Sequence, residues 1–286
     1  MFEFPDICKE ADDISDRSQK EYTKLLKLFL ALLMFSSFLY SYFGKYPVAK
    51  FFNALAAVSI LMLSLLVFFV NYQGKRRSAG TAAYSIRTVC WKYAMKTAPF
   101  DRDDAEAQSL LIEEIQRIAK TNRELKSRVT ANSGASEKIP ETMTAIRQLP
   151  ISDRLSFYHK NRLEEQQSRY QRKTEDNRKM SAIFLGLLVF IAVLVALFLL
   201  LDLLTEIRVH MPIELLLLSI SILFAWVQTT KYNELEKSCE LVSYEIDCIA
   251  LEKEAVRSEQ EFSAYVTVSE RFFSGEGAQW VAQKNF

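Results

Sequence analysis

The sequence predicts an all-α polytopic membrane protein that crosses the bilayer four times as two helical hairpins with long cytoplasmic helical extensions. Three observations predict it. Half of the residues are hydrophobic and a quarter are charged, yet the apolar ones collect in four blocks and the charges fill the stretches between them. Each block approaches the roughly 20 residues that a helix needs to cross the hydrocarbon core. No stretch shows the period-two alternation of a half-buried strand.

The first span is Leu25–Phe43, interrupted only by Lys27, close enough to the end to snorkel. Val48–Val70 is the second, with Lys50 at its outer end and Asn53 one turn further in. Ser181–Leu201 is the third and carries no charge; Met211–Thr230 is the fourth, broken only by Glu214. The links Gly44–Pro47 and Asp202–His210 are short enough to force antiparallel neighbours, so both lie on one side of the membrane. Arg17, Lys20, Lys24, Lys75, Arg76, Arg77 and the run from Arg169 to Lys179 flank the other ends, whereas the links hold only Lys45 and Arg208. The positive-inside rule therefore places both termini and the middle of the chain in the cytoplasm. The first apolar block is too long for a cleaved signal peptide and no small-residue cleavage site follows it.

The polar part reads as a loose duplication: a first two-span unit over 1–128, a linker over 129–150 with two prolines and Asn132-Ser133-Gly134, and a second unit over 151–286. In the first unit, Ala79–Met95 and Asp103–Leu125 are helical by period. In the second, 152–180 lacks Gly and Pro and runs into the third span, predicting one helix of about 70 Å at 1.5 Å per residue. The fourth span is expected to continue into 231–273 without a breaker. There Leu235, Cys239, Val242, Ile246 and Ile249 make a coiled-coil seam of two heptads.

No catalytic constellation is visible. The two histidines, His159 and His210, are far apart, and the four cysteines have no metal-site spacing and read as cytosolic thiols. Gly275-Glu276-Gly277 lacks the lysine and helix entry of a phosphate loop and reads as a turn. Neither an enzyme nor a cofactor or metal site is expected. Ala182 with Gly186, and Ala192 with Ala196, read as close helix packing.

Two features carry binding or transport chemistry. Glu214, Ser221 and Gln228 follow at seven-residue steps on the fourth span, and Lys50, Ala57, Ser64 and Asn71 do so on the second. Such stripes suit the lining of a water-filled path, with Glu214 near the outer mouth favouring cations; headgroup contact for Glu214 and interhelical bonds for the serines are the alternative. The second feature is basic: Arg76 and Arg77, then Arg154, Tyr158, Lys160, Arg162, Arg169, Tyr170, Arg172, Lys173, Arg178 and Lys179. Topology and anionic lipid account for the part near the bilayer. Tyr170 stands about 15 Å along the helix from Met180, where an anion vestibule is the sharper reading, bases stacking on tyrosines and phosphates meeting arginines.

Tyr158, Arg162-Leu163, Gln166, Tyr170 and Asn177-Arg178, leading into a hairpin, resemble the entry helix of the SLATT family of bacterial two-span effector domains. Glu270, Ser274, Glu276 and Trp280 resemble its closing segment, with Gly277 where a histidine is common. Ala11-Asp12, Ser15, Arg17-Ser18-Gln19, Tyr22, the run Thr88 to Tyr93 and Pro99-Phe100 resemble a sister subfamily. The resemblance implies a pore-forming effector of antiviral defence in the bacterial inner membrane. Two hairpins are too few to enclose an aqueous path alone, so a homo-oligomer (a tetramer among the candidates) is expected, answering a nucleotide or oligonucleotide from a cognate nucleotidyltransferase, or that enzyme directly. A non-conducting scaffold that recruits a cytosolic partner through its coiled-coil helices is the alternative.

Overall fold

The structure, a computed structural model, describes residues 2–126, 139–204 and 213–283, the side chains of 202 and 275–283 excepted. Every regular element among the described residues is helical. Helix α1 is Asp6–Phe43, in which a polar entry segment and the first span form one rod. Tyr46 in extended conformation and Pro47 at the first helical position start α2, Pro47–Val70, because the fixed φ of proline suits that position. Helix α3 is Tyr72–Ala94 and α4 is Asp104–Thr121, whose first turn carries Asp104 and Glu106 against the positive helix end.

The second copy follows the same order. After α5 (Glu141–Arg147) come α6 (Ile151–Tyr158), a π-helical turn at His159–Leu163, and α7 (Glu164–Leu204), which together run without interruption into the third span. Helix α8 is Ile213–Thr230, α9 is Tyr232–Leu251, a 3-10 turn covers Glu252–Ala255, and α10 is Glu259–Gln283. Reciprocal bonds start α10: the Glu261 N–H donates to Ser258 Oγ at 3.3 Å and the Ser258 N–H to Glu261 Oε2 at 2.9 Å. The Arg257 N–H, which donates to Glu261 Oε2 at 2.7 Å, holds the Glu261 carboxyl below its ordinary pKa, with the Ser258 hydroxyl and N–H adding to it. The first three residues of the second hairpin link, 202–204, still belong to α7, and 205–210 lie outside the described residues.

Contacts divide the chain into two compact units, and not at the boundary between the copies. One unit contains Gln19–Tyr72 and Asp176–Glu234, hence all four spans; the other contains Met1–Ser18, Gln73–Glu175 and Leu235–Asn285, hence the polar helices of both copies. In the spanning unit large apolar side chains such as Phe68, Phe69, Leu203 and Leu204 point outward, the arrangement that lipid requires. Six of its hydroxyls are satisfied within their own helices: Ser59, Ser64, Ser219, Ser221, Thr229 and Thr230 each donate to a carbonyl four residues back. Ser36 donates to Asn53 between α1 and α2, the Lys27 ammonium stands 6.0 Å from the Trp226 ring, and Phe184 stacks on Tyr232. Gly186 has open space where a side chain would stand, so no close packing uses it within the chain.

In the polar unit the two copies build one core. Trp91 and Met95 of the first copy pack with Tyr158, Ile246, Phe262, Val266 and Phe273 of the second. Helices α3 and α9 show the duplication directly. Ala79, Ala82 and Ile86 are buried on α3, and Cys239, Val242 and Ile246 are buried on α9, each pair 160 positions apart. At that same offset stand Asn71 and Lys231, with φ of 48° and 51°, each breaking the helix where a span ends.

Several expectations are corrected here. The fourth span does not continue unbroken to residue 273: Lys231 turns the backbone left-handed, and the chain leaves the helix again between Ala255 and Glu259. The coiled-coil seam exists, but its five residues are buried inside this chain and are not available to a partner. Within 129–150, the described part holds helix α5 and the fully buried Arg147. The backbone at 275–277 is helical and not a turn.

Lys231 carries strain of a kind a lysine rarely bears, since its Cβ crowds the following carbonyl at positive φ. Lys231→Gly is expected to leave stability unchanged or raise it by up to about 1 kcal/mol, and Lys231→Val to lower it by about 1–2 kcal/mol. Denaturation of the detergent-solubilised protein measures both.

Candidate functional site

In the spanning unit, helical geometry turns a residue by about 100°, so steps of seven return to nearly the same face. Glu214, Ser221 and Gln228 accordingly form one exposed face of α8, and Lys50 and Ser64 are exposed on α2. Ser221 and Ser64 donate to the carbonyls of Leu217 and Ile60, so neither hydroxyl requires another partner. Asn71 closes the second span as its left-handed cap and does not lie within it. What remains is Lys50 at the outer end of α2 and, on α8, Glu214 and Gln228, all exposed and with side chains paired with no described residue, the last two about 21 Å apart along the helix.

The basic set separates sharply. Arg76, Arg154, Tyr158, Arg162 and Tyr170 are buried, which removes them from any exposed anion-binding face. Arg154 donates through Nε to the Leu149 carbonyl at 3.0 Å and through Nη1 to the Met95 carbonyl at 2.8 Å, and pairs with Glu259. Arg162 meets Glu270 in a two-point pair, Nε to Oε1 at 2.8 Å and Nη2 to Oε2 at 2.9 Å. Tyr158 donates to the same Oε1 at 3.0 Å. The Glu270 side chain is 0 % exposed and that of Arg162 is 5 %. Burial, the largest single cause, lowers the Arg162 pKa, but the charge and hydrogen bonds of Glu270 together with Tyr158 and Tyr170 outweigh it and the net direction is upward. Burial, reinforced by Glu270, pushes the Tyr158 hydroxyl well above its ordinary value.

Sequence reasoning missed the third member of this set. Arg147 is fully buried, donates to the carbonyls of Tyr93 at 2.8 Å and Arg102 at 2.9 Å, and pairs with Asp104 at 2.7 Å. That hydrogen bond holds the Asp104 carboxyl below its ordinary pKa. Arg147, Arg154 and Arg162 each lie against an aromatic ring, Tyr93, Phe262 and Phe273 respectively, at 4.7–5.3 Å. Their spacing of seven and eight residues was the available signal. Three arginines, three acids and three rings hold the shared core in one arrangement, the use to which a rigid guanidinium fork is suited.

Arg76 is held differently. Burial lowers its pKa and Asp16 opposes that shift, while its carbonyl accepts from Ser15 Oγ at 3.3 Å. Nearby Asp12 pairs with Arg87; burial raises the Asp12 pKa more than Arg87 lowers it, and Arg169 adds to the lowering. Of the candidate cations, Arg77, Lys160, Arg169, Arg172, Arg178 and Lys179 are exposed and Lys173 is half-buried.

A contrast of two tyrosines tests the polar core. Tyr265 is buried and its hydroxyl has no hydrogen-bond partner among the described residues, whereas that of Tyr158 serves Glu270. Tyr158→Phe is expected to cost about 1–3 kcal/mol and Tyr265→Phe to be neutral or stabilising. Burial pushes Tyr265 up to about 12. A raised acid pKa contributes stability below the unfolded value near 10, lost as pH rises through about 12. Tyr265→Phe should flatten that alkaline loss in a pH series of thermal melts.

Residues 5–155 match the family model for SMODS and SLOG-associating 2TM effector domain 3, and residues 158–280 match that for domain 1 of the same series. No curated protein and no solved structure matches the chain.

Proposed function

Since the chain belongs to the SLATT family of membrane effector domains of conflict systems, with two such domains in tandem, we propose that it is the pore-forming effector of a bacterial anti-phage system. In this reading several copies assemble into an ion channel gated by a nucleotide or oligonucleotide at its cytoplasmic side. Opening depolarises the inner membrane and arrests or kills the cell. The observation that carries the reading is the outward face of α8. A carboxylate and an amide facing hydrocarbon are costly, and water between assembled copies relieves that cost. Two hairpins are too few to enclose an aqueous path alone, so the polar face implies neighbours.

The exposed cations Arg169 and Arg172, with Lys173 beside them, are the ligand site we favour. They stand on α7, the same helix that becomes the third span, so a ligand that prefers one position of this helix biases the span with it. The five-residue seam that the scaffold alternative would use is filled from within, so that seam does not favour it over the channel.

Single-channel recording of the purified protein in planar bilayers, with nucleotides and short oligonucleotides added, is the test. Discrete conductance that responds to one of them is expected. Silence with the oligomer intact would overturn the channel reading. Unchanged ligand affinity and gating on neutralising Arg169 and Arg172 would overturn the site alone.

A further inference from the structure

Helix α9 has a second apolar seam on the face opposite its buried one. Leu241, Tyr244, Cys248 and Leu251 follow at steps of three, four and three, the spacing of a coiled-coil stripe. Leu241 is 61 % exposed, Tyr244 64 % and Leu251 74 %, and Cys248 is half-buried. These residues belong to the polar unit, so bilayer contact of the kind that explains outward leucines in the spans does not apply to them. The stripe covers about 15 Å of helix, three turns.

The charges beside the stripe select what covers it. With Leu241 and Cys248 at the first core position of a heptad and Tyr244 and Leu251 at the second, the flanking positions are Glu240, Glu245, Asp247 and Glu252. All four are exposed and all are acidic, although Asp247 also accepts from Gln167 at 2.7 Å. A second copy of α9 would set these acids against their own kind, which disfavours self-pairing. An anionic membrane surface is repelled for the same reason. A helix with apolar residues at matching spacing and lysine or arginine beside them satisfies both the apolar seam and its acidic borders.

We propose that this face of α9 docks a cationic amphipathic helix of a partner protein. The inference does not rest on the channel reading, since it concerns an extramembrane face with its own charge pattern.

The test uses the full chain in nanodiscs of zwitterionic lipid and a synthetic helical peptide of about 14 residues, with leucines at the core positions and lysines at the flanks. A twin peptide carries glutamates in place of the lysines. Cys8, Cys90 and Cys239 are buried, so a maleimide reports on Cys248. The lysine peptide is expected to slow labelling of Cys248, to bind more weakly as salt rises, and to bind the Leu241→Ser and Tyr244→Ser chains about tenfold less tightly or worse. The glutamate twin is expected not to compete. Equal binding of the twins, or binding indifferent to both substitutions, would overturn the proposal. Oxidative cross-linking of Cys248 between copies would also overturn it, by showing that a second copy covers the face.

Discussion

Glu270→Ala is expected to lower the stability of the chain by about 3–5 kcal/mol, the largest single effect available outside the spans. The reason is desolvation. Glu270 and Arg162 are both withdrawn from water, and each is tolerable only because the other neutralises it over two hydrogen bonds. Removing the carboxylate leaves a guanidinium buried between Trp91 and Phe273 with no counter-charge. Arg162→Ala should cost a similar amount, leaving the carboxylate stranded with only the Tyr158 hydroxyl. The double replacement Arg162→Met, Glu270→Leu should recover most of the loss, because two apolar side chains of similar size carry no desolvation penalty. Denaturant titration followed by tryptophan fluorescence checks all three, Trp91 lying 5.9 Å from the guanidinium. A single-variant cost below about 1 kcal/mol would mean that water reaches the pair.

In the proposed channel, Glu214→Lys is expected to convert a cation preference into an anion preference, moving the reversal potential in asymmetric salt across zero. A ring of carboxylates near the mouth of a narrow path concentrates cations there, and lysines at the same positions do the opposite. Glu214→Gln should weaken selectivity while keeping conductance. Ser221→Ala is the internal control: its hydroxyl already donates to the Leu217 carbonyl, so its removal should change little. A reversal potential unmoved by the charge reversal would place the ion path elsewhere.

The spans were legible because transfer from water to lipid is close to a sum over residues, and the blocks need no knowledge of partners. The buried seam of α9 was legible for a related reason: its period is local. The arginines were not. Whether Arg162 faces water or the core depends on Glu270, 108 residues away, and composition near Arg162 does not encode that. The bulk and charge that suggested a basic outer face belong equally to a buried guanidinium that has found its acid. The breaks at Asn71 and Lys231 escaped notice for want of a glycine or proline, the residues that usually announce a left-handed turn. Only the asparagine gave a hint.

The joint core of the two copies has a consequence for how the protein is made. If the copies were separate chains, forming that core would be a bimolecular step and would fail at low expression. Joined by a short stretch, each half meets the other at an effective concentration in the millimolar range, whatever the number of molecules in the cell. A host can therefore keep very few molecules of this protein and still have the two halves joined in every one of them.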